Sequence, residues 1–502
     1  MLSKTRTCRL LGIDGDLVDV EVDIANGMPL FQIVGLADAV IQESKERVKL
    51  AIKNSGFEFP VKRIVVNLSP GDIRKEGSGF DLSIAMAILS AMGEVKIEFY
   101  EDILIFGELK FSGEIIKTSG CINAMLFAKK MGISKVIIPR ANSVESRLIK
   151  GIEVIAVESL SECVEYFKTG KFSPIEYDVK GKSKRNDFEE SDFMHIKGQE
   201  KAKRALTISA AGGHNVLLMG SPGSGKTLLS KSLITILPEM SIDEQIESSQ
   251  IYSSVGLIED EFIEVRPFRS PHHTSSSVSL IGGGNRPTAG EISLAHNGIL
   301  FLDELTEFPK QVLEVLREPL EDRVINIARA NYRVKYPANF TLIAASNPCL
   351  CGNFFEESES CRCTCSSAEV AKYMRKLSGP LLDRIDLYVE VRRVATDEFF
   401  DSGMSESSAE IKKRIIRARD IQYKRFKSVM TNSMMRSSDI KKYCELTSEC
   451  QELIKRSMDN LGMTARGVSR VLKTARTIAD LEGSSEILKQ HLLEALSYRK
   501  TV

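Results

Sequence analysis

The chain of 502 residues has no surplus of either charge: 68 Lys and Arg balance 68 Asp and Glu. No global basic field announces a polyanionic partner, so any such contact must come from a local patch. No apolar stretch reaches the roughly 18–20 residues that a bilayer-spanning helix requires. The opening "MLSKTRTCRLLGIDGDL" also has no apolar core of the kind a secretory leader carries. Together these absences lead us to expect no membrane association and a cytoplasmic, reducing setting. Disulfides are disfavoured there, and clustered cysteines lean toward metal binding or catalysis. Internal repeats and long low-complexity tracts are missing too. What remains is 43% hydrophobic and 27% charged, the composition of a globular chain with an ample core. Its length suits roughly three domains.

Three blocks follow one another. Residues 1–172 alternate β-rich runs ("LVDVEVDIA", "KRIVVNLSP", "SKVIIPRAN") with helical stretches ("ESKERVKLAIKNSG", "DLSIAMAILSAMG"). Residues 173–191 are polar and aperiodic, as an exposed linker is. A second α/β block spans 192–398. Residues 399–502 are helical in pattern after the polar "TDEFFDSGMSESSAE". The expected fold class is therefore α/β and multidomain, with a helical C-terminal domain.

The second block carries the sharpest chemistry. In "NVLLMGSPGSGKTLLSKSL" an apolar strand runs into a Gly-rich loop and then a helix, with Gly220, Gly225, Lys226 and Thr227 at the P-loop spacing. The loop Ser221, Pro222, Gly223, Ser224, with Leu228 beyond it, completes the candidate nucleotide cradle. Glycines let backbone N–H groups face phosphates, and the helix N-terminus adds partial positive charge. Lys226 is suited to the β- and γ-phosphates of ATP, and Thr227 to Mg²⁺. "NGILFLDE" is a buried-type strand ending in Asp303, placed to hold the same Mg²⁺, and Glu304, placed to orient the attacking water. "FTLIAASN" ends on Asn347, either a γ-phosphate sensor or a turn residue. In "SGPLLDRIDL", Arg384 lies between two aspartates. It is either half of an internal salt bridge or an arginine finger for a neighbouring subunit. Arg466, Arg470 and Arg476 fall in a helical region; one could reach the phosphates, and the rest would be solvated or paired.

Two basic segments and one cysteine cluster complete the candidate sites. "RPFRSPHHTSSS" brings His272 and His273 together with small hydroxyl donors suited to phosphate contacts. "EDRVINIARANYRVKYPANF" reads as a β-hairpin carrying Arg323, Arg329, Arg333 and Lys335. Either it contacts DNA, without regard to base sequence, or it is an ordinary solvated face. "NPCLCGNFFEESESCRCTC" packs five of the ten cysteines into one stretch. Cys349/Cys351 and Cys363/Cys365 form C-x-C pairs with Cys361 left over, a tighter spacing than the common zinc knuckle. A structural Zn²⁺, free thiols and a redox switch are all open, with Zn²⁺ favoured.

The order of these motifs resembles the magnesium-chelatase-like branch of AAA+ ATPases. The first block ("VEVDIANGMPLFQIVGLAD", "VNLSPGDIRKEGSGFDLSIA") resembles the N-terminal domain of the ComM (YifB) competence-protein group. That resemblance implies a Lon-protease-like N-terminal domain, an AAA+ core and a C-terminal helical lid. It places Ile196, Gly198 and Gln199 near the adenine, makes Asn347 and Arg466 the two sensors (Arg470 the second choice), and makes Arg384 the finger. It implies a hexameric, ATP-driven DNA motor or branch-migration helicase, with the basic insert and hairpin lining the ring's pore. It also puts the cysteine loop near a subunit interface. A metal-chelatase motor subunit and a regulatory or chaperone ATPase are the alternatives. Where Lon-type proteases carry their nucleophilic serine this chain has Gly79, and Ile122 or Asn123 falls where the catalytic lysine belongs. Ser78 and Ser83 lie nearby without an evident base, so the domain reads as non-catalytic.

Overall fold

The computed structural model describes residues 2–175, 191–258, 262–284, 287–329, 332–356, 362–377, 379–394 and 405–499. Most of the expected linker, the 395–404 boundary and Cys361 lie outside the described residues. No helix among the described residues is long and apolar enough to cross a membrane.

In the N-terminal part, strands Leu2–Leu11 and Asp14–Ala25 pair as an antiparallel hairpin. Arg63–Ser69 adds antiparallel to the second strand and takes Leu30–Val34 on its other side in parallel. A separate parallel sheet joins Ile103–Ile105, Lys135–Pro139 and Glu153–Val157. The helix Asp81–Met92 is apolar around almost its whole circumference ("DLSIAMAILSAM") and is accordingly buried along nearly its full length.

The central sheet has five parallel strands in the order Phe268–Arg269, Ile299–Leu302, Thr341–Ser346, Val216–Gly220, Leu387–Val391. Its middle strands are uninterrupted apolar runs, as burial on both faces requires. Because the strands are parallel, their C-terminal ends open on one edge of the sheet and their N-terminal ends on the other. The C-terminal helices, including Ser408–Phe426 and Ala465–Leu481, do not build a core of their own. Ile415, Val471, Ala475 and Ile478 pack in one hydrophobic cluster with Leu206, Ala210 and Val216.

Candidate functional site

The shared C-terminal edge of the sheet gathers the residues expected at the nucleotide. Gly220 ends its strand, and helix Lys226–Ile236 begins six residues later. Between them Gly223 (φ +78°) and Gly225 (φ +89°) take left-handed backbone that other residues adopt only with strain. Lys226 Nζ donates to the carbonyls of Gly220 (2.8 Å) and Ser221 (2.9 Å) and lies 3.3 Å from Asn347 Oδ1. Burial lowers its ammonium below the ordinary lysine value, although Asp303 and Glu304 oppose that. Such a half-buried cation is poised for a polyanion. Ser224 Oγ is buried without a hydrogen-bond partner, an orphan donor facing into the same loop region. Thr227 Oγ1 donates to Asp303 Oδ2 at 2.9 Å, so the hydroxyl and carboxylate expected at Mg²⁺ already touch. Leu228 is 44% exposed beside them.

Glu304 adopts φ +51°, rare for a residue with a side chain, and its N–H donates to Asp303 Oδ1 at 2.9 Å. Backbone of this kind costs of order 1–3 kcal/mol and persists where surrounding structure dictates it. Ile196 is a core residue, 5% exposed. Gln199 hydrogen-bonds the Arg392 carbonyl, one residue beyond the Val391 that pairs with Gly220. That contact brings the Ile196–Gln199 segment, with Gly198 at φ +59°, next to the phosphate loop.

Three placements go beyond what the sequence showed. His273, expected on a DNA-facing insert, has Nδ1 3.3 Å from Glu304 Oε2 and its ring edge-on to Phe308. The insert follows the edge strand Phe268–Arg269, and strand polarity delivers it to the nucleotide edge. His272 stacks on it at 4.0 Å and bonds Thr274 Oγ1 at 2.9 Å. Secondly, Arg466 and Arg470 do not reach the P-loop of their own chain. They line a cavity of about 650 Å³ with Arg384, Arg323, Lys473 and Asp386. The same cavity includes Asn215, the residue preceding the P-loop strand, and so sits at the opposite edge of the sheet. Thirdly, the cysteine loop lies on the P-loop: the Ser221 hydroxyl donates to the Glu356 carboxylate, and Gly352 abuts Pro222.

Arg384 is paired, though not with its flanking aspartates. It meets Glu321 at 2.7 Å and donates to the carbonyls of Pro380 (2.7 Å) and Arg317 (3.1 Å). Arg476 is held by Asp480 at 3.1 Å. Strands Val324–Arg329 and Tyr332–Pro337 form the expected hairpin. Arg333 and Lys335 share its exposed face, and Arg329 is exposed near the turn. Arg323 is not on that face; its guanidinium donates to the Phe340 carbonyl at 2.8 Å.

Cys349, Cys351, Cys363 and Cys365 converge, with their sulfurs all within 4.8 Å of one another. Tetrahedral Zn²⁺ with bonds of about 2.3 Å sets neighbouring sulfurs about 3.8 Å apart. The separations here are 3.3 Å (Cys349–Cys351), 3.5 Å (Cys351–Cys363) and 3.8 Å (Cys349–Cys363). Backbone N–H groups of Asn353 and Thr364 point at Cys351 and hold its thiol well below the usual value, while burial pushes Cys349 up. Amides aimed at sulfur favour the thiolate, the form that binds metal. The donor set fits Zn²⁺.

In the N-terminal part, a Cβ on Gly79 would stand 2.5 Å from the Phe106 ring. The Ser78 hydroxyl is spent on Glu108, and Ser83 Oγ lies 2.9 Å from Thr5 Oγ1. Asn123 Nδ2 donates across to the Gln250 carbonyl of the second block at 3.1 Å. Beside it, Gly120 N–H meets the Ser253 carbonyl at 3.0 Å, and Ser253 Oγ donates to Glu145 at 2.8 Å.

A five-stranded parallel sheet with the phosphate loop beside its last strand and the acid pair two strands away defines an AAA+ P-loop ATPase of the magnesium-chelatase-like branch. The family model described as "Magnesium chelatase, subunit ChlI" matches residues 192–399. "Subunit ChlI of Mg-chelatase" matches 20–142, and "Magnesium chelatase, subunit ChlI C-terminal" matches 405–499. The chain is 38% identical to the competence protein ComM of Haemophilus influenzae, over 98% of this chain and 96% of that one. It is 40% identical to YifB of Escherichia coli, over 99% and 97%. An archaeal Lon protease of Methanocaldococcus jannaschii is 27% identical over 32% of this chain and 23% of its own length. The chain belongs to the ComM/YifB family of magnesium-chelatase-like AAA+ proteins.

Proposed function

We propose that this chain is the subunit of a cytoplasmic hexameric ring that hydrolyses ATP to move along DNA, a branch-migration helicase of the ComM type acting in recombination of incoming DNA during natural transformation. One observation carries the reading: the phosphate loop and the Arg384–Arg466 cavity occupy opposite edges of one sheet. Head-to-tail copies that close into a ring would bring each cavity to the next copy's phosphates. Lys226 then binds the β- and γ-phosphates, and the P-loop amides and Ser224 cradle them. Thr227 and Asp303 hold Mg²⁺, which supplies charge neutralisation when bound. Glu304 orients the attacking water, Asn347 reports the γ-phosphate, and Arg384 and Arg466 act on the neighbour's nucleotide. Arg329, Arg333 and Lys335 face DNA from the hairpin, with His272 on the adjoining insert. A structural Zn²⁺ occupies the four cysteines.

The same reading divides the chain into a non-catalytic Lon-like domain (1–172), a linker (173–191), the ATPase core (192–398) and a helical domain (399–502). The test is ATP turnover with and without single-stranded or branched DNA. Stimulation should be indifferent to sequence and fall steeply with salt, as backbone contacts release counterions. Replacing Arg329, Arg333 and Lys335 together by Ala should keep basal turnover and lose the stimulation. If assembled rings at low salt ignore DNA, the regulatory or chelatase-motor reading takes its place.

A further inference from the structure

The cysteine cluster is joined to the phosphate loop by a short strap. Residues Gly352–Glu356 leave the first C-x-C pair, cross the loop and end at the Glu356 carboxylate, which accepts the Ser221 hydroxyl. Gly352 has φ +82°, and a Cβ there would stand 2.5 Å from Pro222 Cδ, so the strap lies in van der Waals contact with the turn that must wrap the phosphates. Within the strap, Phe354 is 50% exposed, while Gly352 is buried and Phe355 packs on the cluster that includes Leu377 and Leu381. Asn347, which touches Lys226 from the other side, is only two residues before Cys349.

We propose that the Cys349–Cys351–Cys363–Cys365 metal site holds the strap Gly352–Glu356 against Ser221 and Pro222, so that metal occupancy sets how well a single chain binds nucleotide. This rests on the zinc reading above and goes beyond it. Ligating Cys349 and Cys351 fixes the strap at its start, and the second pair, twelve residues on from Cys351, closes the loop behind it. Ligation then fixes the strap at both ends, beside the single apolar anchor at Phe355. With the metal gone, Pro222 loses its backing and Ser221 its partner. The P-loop must then be ordered by the nucleotide itself, which weakens binding.

The test uses the full chain purified without chelators, at a dilution where it is monomeric. Zinc content is measured by elemental analysis, and affinity by titration with a fluorescent ATP analogue in Mg²⁺. Titrations are run before thiol-competitive chelation, after it with the chelator removed, and again after Zn²⁺ is restored. We expect one Zn²⁺ per chain, a loss of affinity of about tenfold or more on removal, and recovery on return. Gly352→Ala, which keeps all four ligands, should retain its zinc and still bind nucleotide about tenfold more weakly. A chain that holds zinc and binds nucleotide equally well with it, without it and as Gly352→Ala overturns the strap while leaving the metal site standing. A chain with no zinc overturns both.

Discussion

A carboxylate that orients water works best unshared, yet Glu304 lies 3.3 Å from the His273 imidazole. A ring nitrogen at that distance competes with water for the carboxylate and biases the side chain toward the insert. The insert, in turn, is one of the segments placed nearest to DNA by the function proposed here. His273→Ala should therefore raise DNA-free ATP turnover, by about threefold or more, and shrink the further stimulation that DNA provides. Its affinity for DNA should stay close to that of the parent chain. Loss of DNA affinity with basal turnover unmoved would return His273 to the DNA-contact role that its basic, hydroxyl-rich neighbourhood suggests. The P-loop itself was legible because glycine spacing dictates local backbone. The pairing of His273 with Glu304 was not, since they are thirty-one positions apart and meet only through strand order.

At the scale of elements, the parallel sheet carries a second titratable cluster on the edge away from the phosphates. Asp386, just before the last strand, accepts Asn215 N–H at 3.0 Å and stands 3.5 Å from His214 Nδ1 and 4.0 Å from Arg470. Burial alone would raise its carboxyl, but His214, Arg470 and the Asn215 amide outweigh that and hold it down to about 2. An unfolded aspartate titrates near about 3.9. The folded value is the lower, so this contribution is present above about pH 4 and is lost as pH falls toward 2. Denaturant titrations over that window should show Asp386→Asn losing about 2 kcal/mol less than the parent chain; equal losses would mean the carboxylate is not coupled to folding. Alternating exposure on the hairpin could be read from its sequence, because side chains of a strand alternate by geometry. The address of the Arg466 helix could not, because helical periodicity says which face is buried and not against what.

At the scale of the whole molecule, the ring proposed above would divide the ATPase site between the two edges of a sheet and make activity a property of neighbours. Mixing Arg384→Ala subunits with Lys226→Ala subunits should recover part of the lost turnover, because an intact finger then faces an intact phosphate loop. Both variants alone should fall by roughly 100-fold or more. No recovery in rings shown to be mixed would leave Arg384 as the partner of Glu321 and nothing more. The N-terminal part is bound into the same machine. Leu11 and Ile13 pack against the cluster that includes Val334 and Tyr336, and Tyr332 of the hairpin hydrogen-bonds Glu76. Composition and periodicity suggest a division into blocks. These seams were not legible there, because each is made of single contacts between residues hundreds of positions apart.

The Phe106 ring under Gly79 has an engineering corollary. A serine introduced at Gly79 alone would collide with the aromatic carbons before it met any substrate, and the adjacent Ser78 and Ser83 hydroxyls are already committed. Of Ile122 and Asn123, the two residues that the resemblance sets at the lysine position, Asn123 has an amide that fastens the N-terminal part to the Gln250 carbonyl. Building a Ser–Lys dyad here would take a smaller residue at 106 and, with the lysine at 123, would cut that fastening. Each single step is a loss, so point substitutions made one at a time do not readily install such a dyad here.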